Sequence, residues 1–371
     1  MRTGMMAHQR IFPIGAFYTL LLSALLGAQC PPSGRFNSSL TVARGNETVF
    51  VSFENGKIAA INPQTQSIAW NTWVPQFCPV SQTVASDAVY VIGTVTNAGS
   101  RLLRLDRSTG KIQWQQNNVV SLGGDVTPAV CGSVVVIPDY SHKSERAFDT
   151  ASGKEIWRTD NTAYWLTHPP IILGREMQFV GVKRTTPEQP EIVTLACSSG
   201  QLVHAVRVAN IGIARVSLFN YADKLIRFGY RTHKTIVQAV TSRNAKQLWQ
   251  TSIPDDFARF APAIHKNRLI SGSTSLWALD LSNGKTENLS PMQSPIGRVA
   301  VAGDTAYFIQ GTSDLVAFDL SRKKVAWRRQ LSGKATSDVA ISNDTIAVQV
   351  QTHGLAIMST TGGKIAYVDP E

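Results

Sequence analysis

The stretch RLLRLDRSTGKIQW, Arg101–Trp114, sets out a compact pattern: an apolar run, an Asp, a Ser-Thr-Gly turn, a Lys and, four residues after the Gly, a Trp. The pattern returns 43 residues later as RAFDTASGKEIW, Arg146–Trp157. The Asp can cap the tight turn through its carboxylate, the Gly can adopt a positive φ there, and the apolar alternation before the turn is that of a strand.

Followed along the chain, the pattern gives eight copies between about residue 35 and residue 371. The closing aromatic position falls at Trp70, Trp114, Trp157, His204, Trp249, Asn288, Trp327 and Tyr367. Four residues before each lies a turn position: Gln66, Gly110, Gly153, Gly200, Ala245, Gly284, Lys323 and Gly363. The seventh copy divides into GRVAVAGD, TAYFIQGTSD, LVAFDLSR and KKVAWRRQL, four short strands with polar turns between them. Repeats of this length with four strands each predict an all-β fold, an eight-bladed β-propeller of four-stranded antiparallel blades. One such sheet has two apolar faces and cannot cover both, whereas sheets arranged radially cover one another. Trp70, Trp114, Trp157, Trp249 and Trp327 are expected to dock each blade on its neighbour. Trp73 and Trp165 are assigned to connections between blades, where they would plug gaps or anchor a partner peptide. PDDFARFAPA allows one short helical turn, and VKRTTPEQPEI reads as a longer loop.

Composition agrees with strands rather than exposed helices. Charged residues make up 16% of the chain, against roughly 25% in typical soluble domains. Residues 1–29 read as a signal peptide: Arg2 and Arg10 precede an uncharged apolar stretch that ends in Gly27 and Ala28. Cleavage before Cys30, with lipidation of that Cys, and ordinary cleavage after Ala28 both suit LLGAQC. After the leader no apolar run reaches the roughly 18–20 residues of a membrane-spanning helix. The expectation is an exported monomer of the periplasm or cell envelope, soluble or lipid-anchored, with residues 35–371 forming a single propeller domain. The cysteines, Cys30, Cys78, Cys131 and Cys197, are widely spaced and show no metal-ligand spacing. One disulfide and four isolated buried thiols are both compatible with them.

The phrases LRLDRSTGKIQW, AFDTASGKEIW, WALDLSNGKTEN and VAFDLSRKKVAW resemble PQQ-type repeats, and the chain is similar to the quinoprotein-like propeller family over nearly its whole mature length. Two branches of that family imply different functions. Quinone dehydrogenases carry PQQ and calcium under adjacent cysteines, and no two cysteines are adjacent here. The BamB-type outer-membrane assembly lipoproteins are exported scaffolds without a cofactor, and leader, copy number and length resemble these more. That resemblance implies a non-catalytic platform for an envelope protein or an extended peptide.

No residues form a catalytic or metal-binding motif: the seven histidines are dispersed, and GxSxG, P-loop and GxGxxG patterns are absent. Charge is the remaining signal. The formal net charge of +11 becomes +9 without the leader. Fourteen Lys and Arg stand against six acids between Arg175 and Arg268. Arg207, Arg215, Arg227, Arg231 and Lys234 are the candidate interaction patch of this basic sector. It would suit an acidic protein segment, lipid headgroups or an anionic envelope polymer. Nucleic acid is disfavoured by the leader and by the absence of a recognised motif.

Overall fold

Strands form where apolar residues alternate and stop where Asp, Asn or Gly allows a turn, and the seventh copy shows this plainly. Its strands are Ala300–Ala302, Thr305–Gln310, Asp314–Asp319 and Lys324–Gln330, joined antiparallel in sequence order. The computed structural model describes residues 39–42, 48–53, 55–95, 99–120, 126–139, 144–159, 164–166, 170–183, 185, 189–209, 211, 218–231, 234–253, 262–272, 274–291, 296–351 and 354–369. Eight such sheets follow one another, spanning 39–73, 77–117, 129–158, 164–207, 218–253, 263–291, 300–330 and 340–368. These are blades 1 to 8 of an eight-bladed β-propeller. Among the described residues there is no helix, and none long and apolar enough to cross a membrane. Most of PDDFARFAPA lies outside the described residues.

Blade 4 departs from the four-strand rule. Tyr164–Leu166 and Ile171–Leu173 both pair with Glu176–Lys183, so its first strand is split in two. Trp165 therefore belongs to a strand, opposite Val182, and not to a connection. Trp73 ends the fourth strand of blade 1, is 64% exposed and plugs nothing. The expected loop after Val182 spans only 184–189, between Lys183 and Pro190.

The first strands of neighbouring blades lie side by side around the axis, those of blades 1 and 8 among them. The fourth strand of each blade is outermost. Because every blade is antiparallel, the turns after its first and third strands share one end of the ring, here the upper end. Turns after the second strand, and the connections between blades, share the lower end.

The core lies between the blades. Eight hydrophobic clusters occupy the eight seams, and that between blades 8 and 1 joins Val49, Val51, Ala59 and Ile61 to Ala347, Leu355, Ile357 and Val368. Face packing alone thus closes the ring, since both terminal blades build their four strands from consecutive residues. The Gln349 side chain adds one hydrogen bond across the closure, to the Ser52 carbonyl at 3.5 Å.

At each turn before the outer strand, one backbone position has a positive φ. These are Gln66, Gly110, Gly153, Gly200, Ala245, Gly284, Lys323 and Gly362. The eighth falls one residue before Gly363, because that turn is a residue shorter: Gly362 N–H bonds the Ser359 carbonyl three residues back, whereas Gly110 N–H bonds Asp106 four residues back. At Asp106 the side chain caps the turn, Oδ1 accepting from the N–H of Ser108 (3.0 Å) and Thr109 (2.9 Å).

The outer-strand tryptophans cross the seams. Trp114 Nε1 donates to the Thr150 carbonyl of blade 3 at 2.9 Å, and its ring covers the α-carbon of Gly153. A β-carbon there would stand 2.6 Å from the indole. The same lock joins Trp70 to Arg107 and Gly110, Trp157 to Cys197 and Gly200, Trp249 to Leu281 and Gly284, and Trp327 to Thr360 and Gly362. Glycine is needed at these turns for two reasons, the positive φ and the indole pressed against it.

In three seams a different pair stands in the two places. Pairing of the outer strand puts His204, Glu287 and Ala366 where the tryptophans sit in the others. The positive-φ residues of the next blades are Ala245, Lys323 and Gln66, and Glu287 pairs with Lys323. Asn288 and Tyr367, which the spacing assigns to the lock, are each one residue beyond it. In blade 6 the outer-strand bulge falls two residues later than in its neighbours, and in blade 8 the turn is shorter.

Candidate interaction surfaces

The seam between blades 4 and 5 is the least apolar. Its cluster has only Ile192, Leu225 and Val240 fully buried. On the blade 4 side Gln178 Nε2 donates to Thr194 Oγ1 (3.2 Å), and Thr194 Oγ1 lies 3.1 Å from His204 Nε2. On the blade 5 side Arg227 is fully buried in the strand Lys224–Arg231. One nitrogen, Nη1, donates to Gln238 Oε1 at 2.7 Å and to the Ala209 carbonyl at 3.4 Å. Among the described residues, Arg227 Nε and Nη2, together with Gln178 Oε1, have no hydrogen-bond partner. Burial pulls the Arg227 pKa well below its usual value, to about 10.

Arg227 is accordingly no part of an exposed patch, which corrects the sequence assignment. Alternation along its strand turns it, with Leu225, into the seam, while Ile226 and Phe228 face blade 6. Three of the remaining patch residues fall at one end of the ring. Arg207 ends the outer strand of blade 4, and Arg231 and Lys234 flank the lower hairpin of blade 5. Arg215, in the connection between these blades, lies outside the described residues, as do residues 1–38 with the leader and Cys30. Arg207 and Lys234 are exposed. Beneath them Glu191, almost fully buried, accepts from Tyr164 Oη at 2.7 Å and pairs with Lys183 Nζ at 3.1 Å and Arg207 at 3.8 Å. The Glu191 carboxylate holds the Lys183 pKa above its usual value. Arg175, Arg243, Lys246, Lys266 and Arg268 sit at upper turns, so the basic sector is divided between the two ends.

The cysteines form a staple. Cys131, at the upper turn of blade 3, is bonded to Cys197, at the upper turn of blade 4, with Cα atoms 6.1 Å apart. Cys78 is also disulfide-bonded.

A second surface feature was not legible as a motif. At the upper end, between blades 6 and 7, a cleft of about 320 Å³ is lined by His265, Lys266, Arg268, Ile270, Glu287, Asp304, Leu320, Ser321 and Lys323. Two ion-pair groups span it. Asp304 meets Lys266 at 2.7 Å and His265 at 3.2 Å, while Glu287 meets Arg268 at 2.5 Å and also Lys323. Both carboxyls are held below their usual pKa, chiefly by hydrogen bonds from Lys266 to Asp304 and from Lys323, then Arg268, to Glu287. The sequence signal was present as a coincidence: copy six lacks its Trp where copy seven lacks its turn Gly.

Cofactor sites were tested on the donor set. Among the described residues no three His, Cys, Asp or Glu side chains come together as a metal site. The bridged cysteines lie in separate blades, 66 residues apart. These residues do not fit the calcium and adjacent-cysteine arrangement of the dehydrogenase branch.

Against known structures, the chain is similar to BamB from Moraxella catarrhalis, with 13% identity, 86% of this chain and 92% of that one covered, and a TM-score of 0.65. It is similar to the computationally designed Ika8 protein at 10% identity, covering 86% and 95%, with a TM-score of 0.63. The quinohemoprotein alcohol dehydrogenase from Comamonas testosteroni shares 12% identity, covering 86% and 71%, with a TM-score of 0.59. At such identities the likeness is one of fold. No curated protein sequence matches the chain. A family model described as "Outer membrane protein assembly factor BamB" matches residues 24–163 and 233–370, well over half of the chain. The chain therefore belongs to the outer membrane protein assembly factor BamB family.

Proposed function

We propose that this protein is an exported, non-catalytic interaction platform of the cell envelope, acting in outer-membrane protein assembly. Family membership carries the proposal. The Cys131–Cys197 bridge supports an oxidising compartment, where such bonds persist. A ring whose core is made of inter-blade contacts gives a rigid support, and its loops and unpaired outer strands are available to a partner peptide. The lower end near blades 4 and 5, with exposed Arg207 and Lys234, suits an acidic segment of an envelope protein.

Photo-crosslinkers placed at Arg207 and Lys234 in the native envelope test this. The expected product is an adduct with a component of outer-membrane assembly, weakened by salt and, for the crosslinker at either position, by charge reversal of the other (Lys234→Glu or Arg207→Glu). Adducts only with lipid or polysaccharide, or none, refute it. Mass spectrometry of the mature N-terminus distinguishes cleavage after Ala28 from lipidation at Cys30.

The likeness to a quinohemoprotein alcohol dehydrogenase supports a second reading, PQQ- and calcium-dependent oxidation. Dye reduction on alcohols or sugars, after PQQ and calcium are supplied, would establish it. The donor set leads us to expect none.

A further inference from the structure

We propose that the cleft between blades 6 and 7 is a receptor for an aromatic side chain, above all an indole, presented by a partner protein. The molecule itself supplies the precedent. In five seams an indole occupies the corresponding place, where it meets three groups. One is the residue of the second strand aligned with the indole across the third, where Phe50, Tyr90 and Tyr307 meet Trp70, Trp114 and Trp327 in tilted ring contacts at 5.9 Å. The second is the carbonyl just after the third strand. The third is the positive-φ turn residue.

In the seam between blades 6 and 7 the same three positions are Ile270, Leu320 and Lys323, and all three line the cleft. The Leu320 carbonyl is set as in the locked seams. Leu320 N–H bonds the Asp304 carbonyl of the upper turn at 2.9 Å, just as Thr150 N–H bonds Ser133 at 2.9 Å and Leu281 N–H bonds Asn267 at 2.9 Å. The chain puts Glu287 where the indole would start, and Leu289 turns into the core instead.

The cleft's size suits one ring system. A volume of about 320 Å³ lies at the bottom of the roughly 300–1,000 Å³ range of small-ligand sites. Ile270 gives an apolar floor, the Leu320 carbonyl an acceptor for an indole N–H, and the Arg268 and Lys323 guanidinium and ammonium groups can lie over the ring face. The two cations are 37% and 50% exposed at the side chain, and their ion pairs among the described residues are with the partly exposed Glu287, so they can swing aside without leaving a fully buried charge alone.

The inference deepens the platform reading and rests on it for the partner being a protein, but its test needs no partner. Full mature protein labelled at the isoleucine δ1 methyl groups is titrated with N-acetyl-tryptophanamide, and with N-acetyl-alaninamide for comparison. The expected result is a saturable upfield ring-current shift of the Ile270 methyl in the millimolar range with the indole compound alone. The double variant Glu287→Trp/Lys323→Gly, which restores the lock of the other seams, should weaken that binding by at least roughly tenfold. Should it fold poorly, Ile270→Ala, assayed by ligand-observed saturation transfer, serves instead and should weaken it likewise. Equal shifts with the alaninamide, no shift at Ile270, or a shift untouched by both variants would overturn the proposal. So would self-association abolished by Trp73→Ala, which would make the occupant a second copy. Loss of crosslinks at the lower end with a normal Ile270 titration would sink the platform reading and leave the receptor standing.

Discussion

Replacing Gly153 by Ala isolates the lock between blades. Two costs are expected. The first is conformational: φ is +71° at this position, and a β-carbon in that region costs about 1–2 kcal/mol. Gly303, with φ +55° and nothing within 4 Å of a built β-carbon, measures this cost by itself. The second is steric. The new methyl would stand 2.6 Å from Trp114 Cδ2, so the indole must withdraw. Withdrawal gives up the bond to the Thr150 carbonyl, about 1 kcal/mol, and the tilted contact with Tyr90, about 0.5–1.5 kcal/mol. If a third of an indole's ~200 Å² returns to water, a further ~1.5 kcal/mol is lost. Gly153→Ala should therefore destabilise by about 5 kcal/mol and Gly303→Ala by less than half of that. In a Trp114→Ala background the Gly153→Ala cost should shrink to the Gly303 value, a coupling of about 3–4 kcal/mol. Urea unfolding followed by tryptophan fluorescence and by circular dichroism gives all four corners of the cycle. Equal costs of Gly153→Ala with and without Trp114 would refute the lock.

The buried guanidinium gives an unusual expectation. Arg227 has a folded-state pKa of about 10, well below the ordinary arginine value, so the native state binds the proton less tightly than the unfolded chain. The resulting cost is in full force below pH ~10 and relieved as pH rises above it, about 3 kcal/mol at neutrality to order of magnitude. Arg227→Met should be neutral or stabilising in thermal unfolding at pH 7, and a clear loss would show that the charge has a partner. Asp106, exposed, has its pKa lowered to about 2, first by the Ser108 and Thr109 hydroxyls, and Asp149, Asp280 and Asp319 are lowered likewise by their own turns. Their stabilisation is present above the unfolded carboxylate pKa near 4 and lost as pH falls through the folded values. The melting temperature should drop between pH ~4 and ~2, and Asp106→Asn should flatten that slope; an unchanged slope counts against the caps. Removing the Cys131–Cys197 bridge, which closes a loop of sequence separation 66, should cost up to about 4 kcal/mol in the chain-entropy account. Denaturation of Cys131→Ser/Cys197→Ser beside the parent measures it, and a difference near zero would rule that account out here.

What could be read without coordinates was whatever repeats locally. The turn frame held even through copies with eroded residues, so Gln66, Ala245 and Lys323 take the same left-handed backbone as the glycines. Alternation within a strand is equally local, and it placed the strands of blade 7. The frame slipped by one where length changed inside a copy, at Glu287 and at Ala366, since a shifted bulge or a shortened turn leaves no composition trace. Surface assignment failed at Arg227 for a different reason. A cation with two unsatisfied nitrogens in an inter-blade seam runs against the usual rule that charged side chains stay in water. The cleft between blades 6 and 7 could have been found by reading consecutive copies in pairs, because a lock belongs to two blades: Trp with Gly, His204 with Ala245, Glu287 with Lys323.

Closure by face packing alone makes the choice of starting point arbitrary. No strand is borrowed across the join, so the chain could be cut between any two blades and its present ends tied together while keeping every sheet intact. It also leaves blades 1 and 8 as equals of the other six, with a bare side on each until the last sheet is in place. A product truncated by one sheet would thus show two sticky flanks instead of one missing corner, and should pair with other broken rings rather than stand alone.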